Sequence, residues 1–295
     1  MRLLTLWALL LVCSTSFAIE SLEAPPEPLS VLDRSEFLPG FLPLYWDKDE
    51  GQLFADIHEI KEPLIYYNGL SHGVGSNDLG LDRGRLGDTY LVEFDRVGQK
   101  VFLTAINTKY VARSENLAER RAVEEAFARS IIWGFEVVEA TDEHVFIDLT
   151  DFALSDATGL SEHLAARGEG SYAIDASRSA IYKAKTKSFP ENTEIDATLT
   201  YAGQSEGAIL RTVAPNPSAI TVHSHHSFVR LPDDGYTPLP FDPRAGYIDS
   251  GEASLVYDYA SPIDAPVKSA FARRHRLEKV DPTAEISEAV EPIVY

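Results

Sequence analysis

The sequence predicts a mainly β (α+β) domain: an antiparallel β-sandwich or barrel-like core with one long helix near 115–133. Three observations predict it. Short apolar segments recur along the chain, about a dozen in all, each of strand length and each closed by turn residues. Only one stretch carries helical periodicity over several turns, and the βαβ alternation of a parallel sheet is missing. No internal repeat of fixed period occurs, which argues against a propeller or a solenoid.

Of the 295 residues, 44% are hydrophobic and 24% charged, enough for one large domain or two small ones. Residues 1–18 read as a signal peptide, with Arg2 as the positive end, Leu3 to Val12 as the apolar core and Ser16-Phe-Ala18 as the cleavage site. The apolar run is too short for a spanning helix, and Val12 stands where a lipoprotein signal wants a small residue before Cys13. The expected location is therefore secreted or periplasmic, with no membrane contact after cleavage. Cleavage would remove the only cysteine, Cys13, and with it any disulfide or thiolate-bound zinc. The net charge of −20 repels nucleic acid and anionic membranes.

The elements follow in order. Residues 19–36, with Pro25, Pro26 and Pro28, read as a flexible linker, and a β-rich domain is expected over 37–284. Strands are expected at Phe41–Trp46, Gln52–Ile60, Leu64–Leu70, Thr89–Phe94 and Lys100–Thr108, joined by hairpin-length turns. Leu117, Val123, Phe127 and Ile131 then recur near helical spacing, with Ser114 as N-cap and Gly134 as stop. Further strands are expected at Phe135–Glu139, His144–Leu149, Tyr172–Asp175, Ala180–Lys185, Glu194–Tyr201, Ile209–Val213 and Ala219–Leu231, and a weaker helix at Thr158–Ala166. The prolines of 232–266 favour an extended, wrapping segment. The strand-like Ile293-Val-Tyr295 makes the chain read as cut short.

Four stretches could carry chemistry. Leu70–Gly87 has glycine at 73, 75, 80, 84 and 87. Nucleotide binding would need lysine and Ser/Thr where Leu81 and Asp82 stand, and a calcium loop fails where Gly80 and Thr89 replace ligands. What remains is a tightly turned structural or interdomain loop, with Asn77, Asp78, Asp82 and Arg83 fixing its geometry through charge pairing. His223 and His225 share a strand face, with His226 on the other, and a strand His-x-His pair can supply two zinc ligands; a third is not evident. His58-Glu-Ile-Lys-Glu62 lacks the second histidine of a metalloprotease helix. Gly203-Gln-Ser-Glu-Gly207 has the spacing of a serine-hydrolase elbow, but the β-like Ala208–Val213 leaves no helix to follow it.

Several runs together resemble the amino-terminal region of bacterial secreted zinc-dependent metalloproteases of the met-zincin type. They are Gly40-Phe-Leu-Pro-Leu-Tyr-Trp-Asp47, Gly75-Ser-Asn-Asp-Leu-Gly-Leu-Asp-Arg-Gly84, Ala118-Glu-Arg-Arg-Ala-Val-Glu124, Phe189-Pro-Glu-Asn-Thr-Glu194, His225-His-Ser-Phe-Val-Arg-Leu-Pro-Asp-Asp-Gly-Tyr236 and Arg274-His-Arg-Leu-Glu-Lys279. The resemblance implies a non-catalytic domain of unknown function, followed in the family by a zincin catalytic domain whose first strand would begin within 285–295. No His-Glu-x-x-His occurs here, so no catalytic residue is assigned, and zinc is expected only in the missing catalytic domain. That domain, in cis or as a separate chain, is the expected partner. The alternatives are a stand-alone metal-dependent hydrolase using His223 and His225, or a structural or binding module of the cell envelope.

Overall fold

The computed structural model describes residues 30–232, 235–247, 255–260 and 266–291. The expected signal peptide and the terminal Pro292–Tyr295 strand lie outside them. No helix among the described residues is long and apolar enough to cross a membrane.

Antiparallel pairing dominates, as the recurring strands and turns predict, although the strands Leu86–Val97, Ser130–Ala140, Asn192–Ser205 and Ala219–Arg230 run to 11–14 residues. The strands are β1 (Glu36–Leu38), β2 (Leu44–Asp47), β3 (Gln52–Asp56), β4 (Leu64–His72), β5 (Leu86–Val97), β6 (Lys100–Ala105), β7 (Tyr110–Val111), β8 (Ser130–Ala140), β9 (Val145–Asp148), β10 (Gly170–Ile174), β11 (Ala180–Ile181), β12 (Lys187–Ser188), β13 (Asn192–Ser205) and β14 (Ala219–Arg230). One sheet runs β1-β2-β3-β9-β8-β6-β5-β4-β14-β13-β10, with β11 and β12 also paired to β13. It curls until its two ends meet, nearly closing a barrel. The seam is made by Phe41 N–H donating to Phe189 C=O at 2.7 Å and by Leu42 N–H donating to Thr193 Oγ1 at 3.0 Å, while the Ser188 hydroxyl donates to Leu42 C=O at 2.9 Å.

Period-two alternation sends Leu44, Leu53, Tyr66, Leu103, Ile147 and Phe228 into the barrel, all fully buried. The short helix α3 (Thr150–Ala153) plugs one end with Phe152, whose ring lies 5.6 Å from Tyr66, 5.5 Å from Phe135 and 5.6 Å from Trp133. Beyond the plug, the long β13–β14 hairpin extends into a second core. There Leu199 and Val222 meet Leu79 and Leu81 of the glycine-rich loop and Leu160 and Leu164 of α4 (Leu160–Ala166).

Four expectations are corrected. The helix near 115–133 is shorter: α2 spans Leu117–Ala126, capped by Asn116, whose side chain accepts from Ala118 N–H at 3.0 Å. The β-branched, alternating run from Ser130 instead extends β8 and pairs with β6. Ile209–Val213 is helical (α5), because the buried Glu169 carboxylate accepts the N–H groups of Ile209 and Leu210 and Leu210 drops into the second core. The linker expected over 19–36 gives way at Ser30 to a helical turn, α1 (Val31–Arg34), tied down by Val31 N–H donating to Glu139 and by an Arg34–Asp47 ion pair. Finally, Ala180–Lys185 holds only the two residues of β11 before a turn.

The proline-rich region does wrap in its described parts. Strand β16 (Val256–Asp258) pairs parallel with β7 and antiparallel with β17 (Val267–Ser269), and β15 (Leu239–Pro240) pairs with β18 (Phe271–Ala272). Stacked rings fasten it: Tyr110 lies 4.2 Å from Phe127 at 3° and 5.2 Å from Tyr257.

Candidate functional site

The register of three central strands builds a polar patch on the outer face of the sheet. β13 and β14 pair Glu194 with Ser227, Asp196 with His225 and Thr198 with His223, while β14 and β4 pair Ser227 with Tyr67, His225 with Gly69 and His223 with His72. Residues two apart on a strand share a face, so Glu194, Asp196, His223 and His225 stand together outside the barrel.

His225 sits between two carboxylates. Its Nε2 is 2.7 Å from Glu194 Oε2 and its Nδ1 is 3.3 Å from Asp196 Oδ2. The carboxylates have further donors: Ser227 Oγ at 2.8 Å and Asn192 Nδ2 at 2.5 Å on Glu194, and the Ser71 hydroxyl on Asp196. Burial by itself would depress the His225 pKa, but the bonds to Asp196 and Glu194 outweigh it and raise the pKa to about 9. Burial likewise opposes ionisation of both carboxylates, and the hydrogen bonds from His225 and its neighbours overcome that and hold them below their ordinary values. At neutral pH the group is an imidazolium between two carboxylates.

His226, one residue on, faces the other way. It is fully buried, accepts from Tyr66 OH at Nδ1 (3.0 Å) and donates from Nε2 to Ala153 C=O (3.3 Å). Burial drives its pKa down to about 4, so it is neutral and joins β14 to the α3 plug.

A cleft of about 430 Å³ opens beside His225. Gly69, Tyr67 and His225 form its floor; Gly84–Leu86 and Ala184–Phe189 form its walls. The second wall is the irregular turn between β11 and β12. The first is the end of the glycine-rich loop, pinned by Leu70 N–H donating to Arg85 C=O (2.9 Å) and Gly84 N–H to Leu70 C=O (2.7 Å).

The residues singled out in the sequence are placed as follows. His223 does share a face with His225, but it packs on Tyr182, 4.6 Å between rings in an edge-on contact, and on His72 at 5.3 Å. Burial, the largest influence, lowers its pKa. Both nitrogens of His225 face carboxylates, Nε2 toward Glu194 and Nδ1 toward Asp196. Among the described residues no group of three or more His, Cys, Asp or Glu is arranged to hold a metal ion.

The charge pairing expected of the glycine-rich loop is replaced by apolar anchoring. Leu79 and Leu81 are fully buried, whereas Asp78 and Arg83 are exposed and belong to none of the ion pairs among the described residues. With its amide nitrogen turned toward Asp82, Asn77 donates to both carboxylate oxygens at 2.9 and 3.0 Å. Gly73 is required by close approach, since a Cβ there would collide with the Leu81 carbonyl. A helix does follow Gly203–Gly207, contrary to expectation. It is five residues long, its first N–H groups are taken by Glu169, and Ser205 Oγ donates to Gly207 C=O at 3.4 Å, with no histidine bonded to it.

Sequence reasoning missed Glu194, Asp196, Arg85, Lys185 and Lys187. The available signal was Glu194-Ile-Asp196, which alternates as His223-Ser-His225 does on the next strand of the hairpin.

The profile of the family described as a domain of unknown function, DUF5117, matches residues 84–280. That is more than half of the chain. The chain belongs to the DUF5117 family. No curated protein and no solved structure matches it. The DUF5117 match begins at Gly84, inside the β4–β5 connection, whereas the barrel of this DUF5117 chain also needs β1–β4. The His225 cleft straddles that boundary, taking Tyr67 and Gly69 from outside the match and Arg85, Glu194 and His225 from within it.

Proposed function

We propose that the chain is a non-catalytic companion domain of a secreted zinc-dependent metalloprotease, acting on the catalytic domain in cis or in trans by supporting its folding, shielding it or presenting substrate. The resemblance of the runs between Gly40 and Lys279 suggests the partner, and one structural observation supports a docked role. Residues 277–290 form a small turn held by Val280 N–H donating to Glu288 C=O and Val290 N–H donating to Glu278 C=O, both at 2.9 Å. This turn leaves Leu277, Val280, Ile286 (90% exposed) and Val290 in solvent. Four large apolar side chains exposed within so short a stretch support the reading that another protein covers this surface. The imidazolium state of His225 fits the same reading, since it offers no general base at neutral pH.

Mixing the purified chain with a met-zincin catalytic domain from such a protease, followed by analytical ultracentrifugation, tests the reading. A complex is expected, and Ile286→Asp/Val290→Asp, which changes only exposed residues, should abolish it. Chelator-sensitive cleavage of casein by the chain alone, or failure to associate with the catalytic domain, would overturn it.

A further inference from the structure

We propose that the cleft beside His225 is a binding site for an anion with an apolar body: a carboxylate carried on an aromatic or branched group. The inference does not rest on the companion-domain reading. At about 430 Å³ the cleft falls in the size range of ligand pockets. Its walls are mostly apolar, with Tyr67, Leu86, Ala184 and Phe189 all reaching it and Leu86 75% exposed. Gly69 leaves the floor without a side chain, so a ligand ring could lie against the Tyr67 and His225 rings, which are 6.1 Å apart.

The charges decide the sign of the ligand. Glu194 Oε1 accepts from Asn192 and Ser227, its buried Oε2 has no hydrogen bond but is ion-paired with His225 at 2.7 Å, and Asp196 is engaged by His225 and Ser71. Both carboxylates are already paired with the His225 imidazolium, so neither is a free charge awaiting a cation. The cationic side is different: Lys185 and Lys187 are exposed and join no ion pair among the described residues, whereas Lys183 beside them is paired with Glu36. Arg85 Nη1 is buried without a hydrogen-bond partner, an unmet donor whose backbone is fixed at both its N–H, given to Asp82 C=O, and its C=O. Three cations with spare donors outweigh the net −1 of one imidazolium between two carboxylates and leave the lining at +2, in a chain of net charge −20, which makes a local anion site.

Two sources fit this chemistry, the C-terminal residue of a peptide and a free small acid. Isothermal titration of the full chain distinguishes them with four probes: N-acetyl-phenylalanine, its amide, and a hexapeptide ending in phenylalanine with a free or an amidated terminus. The free carboxylates should bind saturably and at least about tenfold more tightly than the amides. Lys185→Ala/Lys187→Ala and Arg85→Gln should remove that preference while leaving the thermal midpoint unchanged; the lysine pair is exposed, so that variant keeps the test valid if Arg85→Gln unfolds. A hexapeptide tighter than the single residue assigns the site to chain termini, and equal affinities assign it to small acids. Acid and amide binding alike, neither saturating, or a preference that survives the lysine variant would overturn the proposal.

Discussion

His225 Nε2 stands 2.7 Å from Glu194 Oε2, and the same ring is held on its other side by Asp196. The pKa of His225 rises from 6.5 to about 9, so its stabilising contribution is complete below about pH 6.5 and is lost as pH rises through about 9. His225→Gln should therefore be less stable than wild type by roughly 2–3 kcal/mol at pH 6.5, with the gap closing in urea titrations run toward pH 9.5. A gap independent of pH would mean that packing, and not ion pairing, holds the ring.

His226 works on the acid side. Its folded pKa is depressed from 6.5 to about 4, so the unfolded chain binds the proton more readily. Its contribution is full above pH 6.5 and is lost as pH falls toward 4. Between these values wild type should lose up to roughly 3 kcal/mol more than His226→Gln, which lacks the titrating ring. Parallel acid limbs for the two proteins in urea midpoints would count against this assignment.

The glycine-rich loop is anchored by leucines. Leu81→Ala should cost about 2–5 kcal/mol, because Leu81 is fully buried against α4 and the β13–β14 hairpin. Asp78→Asn and Arg83→Ala should stay within about 0.5 kcal/mol of wild type, and Asp82→Asn should fall between. Thermal unfolding of the four variants ranks them.

The barrel seam has one position without room to spare. A Cβ on Gly40 would run into both the side chain and the backbone of Ser188, so Gly40→Ala should cost about 1–3 kcal/mol and raise the hydrogen-exchange rates of the Phe41 and Leu42 amides first. Uniform exchange across the sheet would place the strain elsewhere.

The strands were legible in the sequence where burial alternates, as over Ala219–His226, where the opposite faces of His225 and His226 follow from period two alone. Local reasoning failed where a distant partner decides. Ile209–Val213 is rich in β-branched residues, and it is a carboxylate forty residues away, on Glu169, that caps it into a helix. The helix expected as far as Trp133 stops at Ala126 because Ser130 onward finds β6 to pair with. The candidate site was half visible: the histidine pair stood out as a pattern, while Glu194 and Asp196 become its partners only once the hairpin register is known. The charged residues of the glycine-rich loop drew attention, yet Arg85, two residues past Arg83, is the one that reaches the cleft.

The seam also constrains how the chain can fold. Leu42 meets Thr193 across 151 residues of sequence, so β1–β3 find their last neighbours only after the β13 strand exists. Barrels completed by such non-local contacts fold slowly, because the entropy of closing the long loop is lost before the contacts are gained. During synthesis β1, β2 and β3 can pair with one another early, but β3 waits for β9 and the seam at Phe41 and Leu42 waits for most of the chain, with the buried face of Leu42 and Leu44 exposed. A chain of this topology has its longest vulnerable interval at its amino-terminal end, where a holding factor or a short β1 that blunts the edge has the most effect.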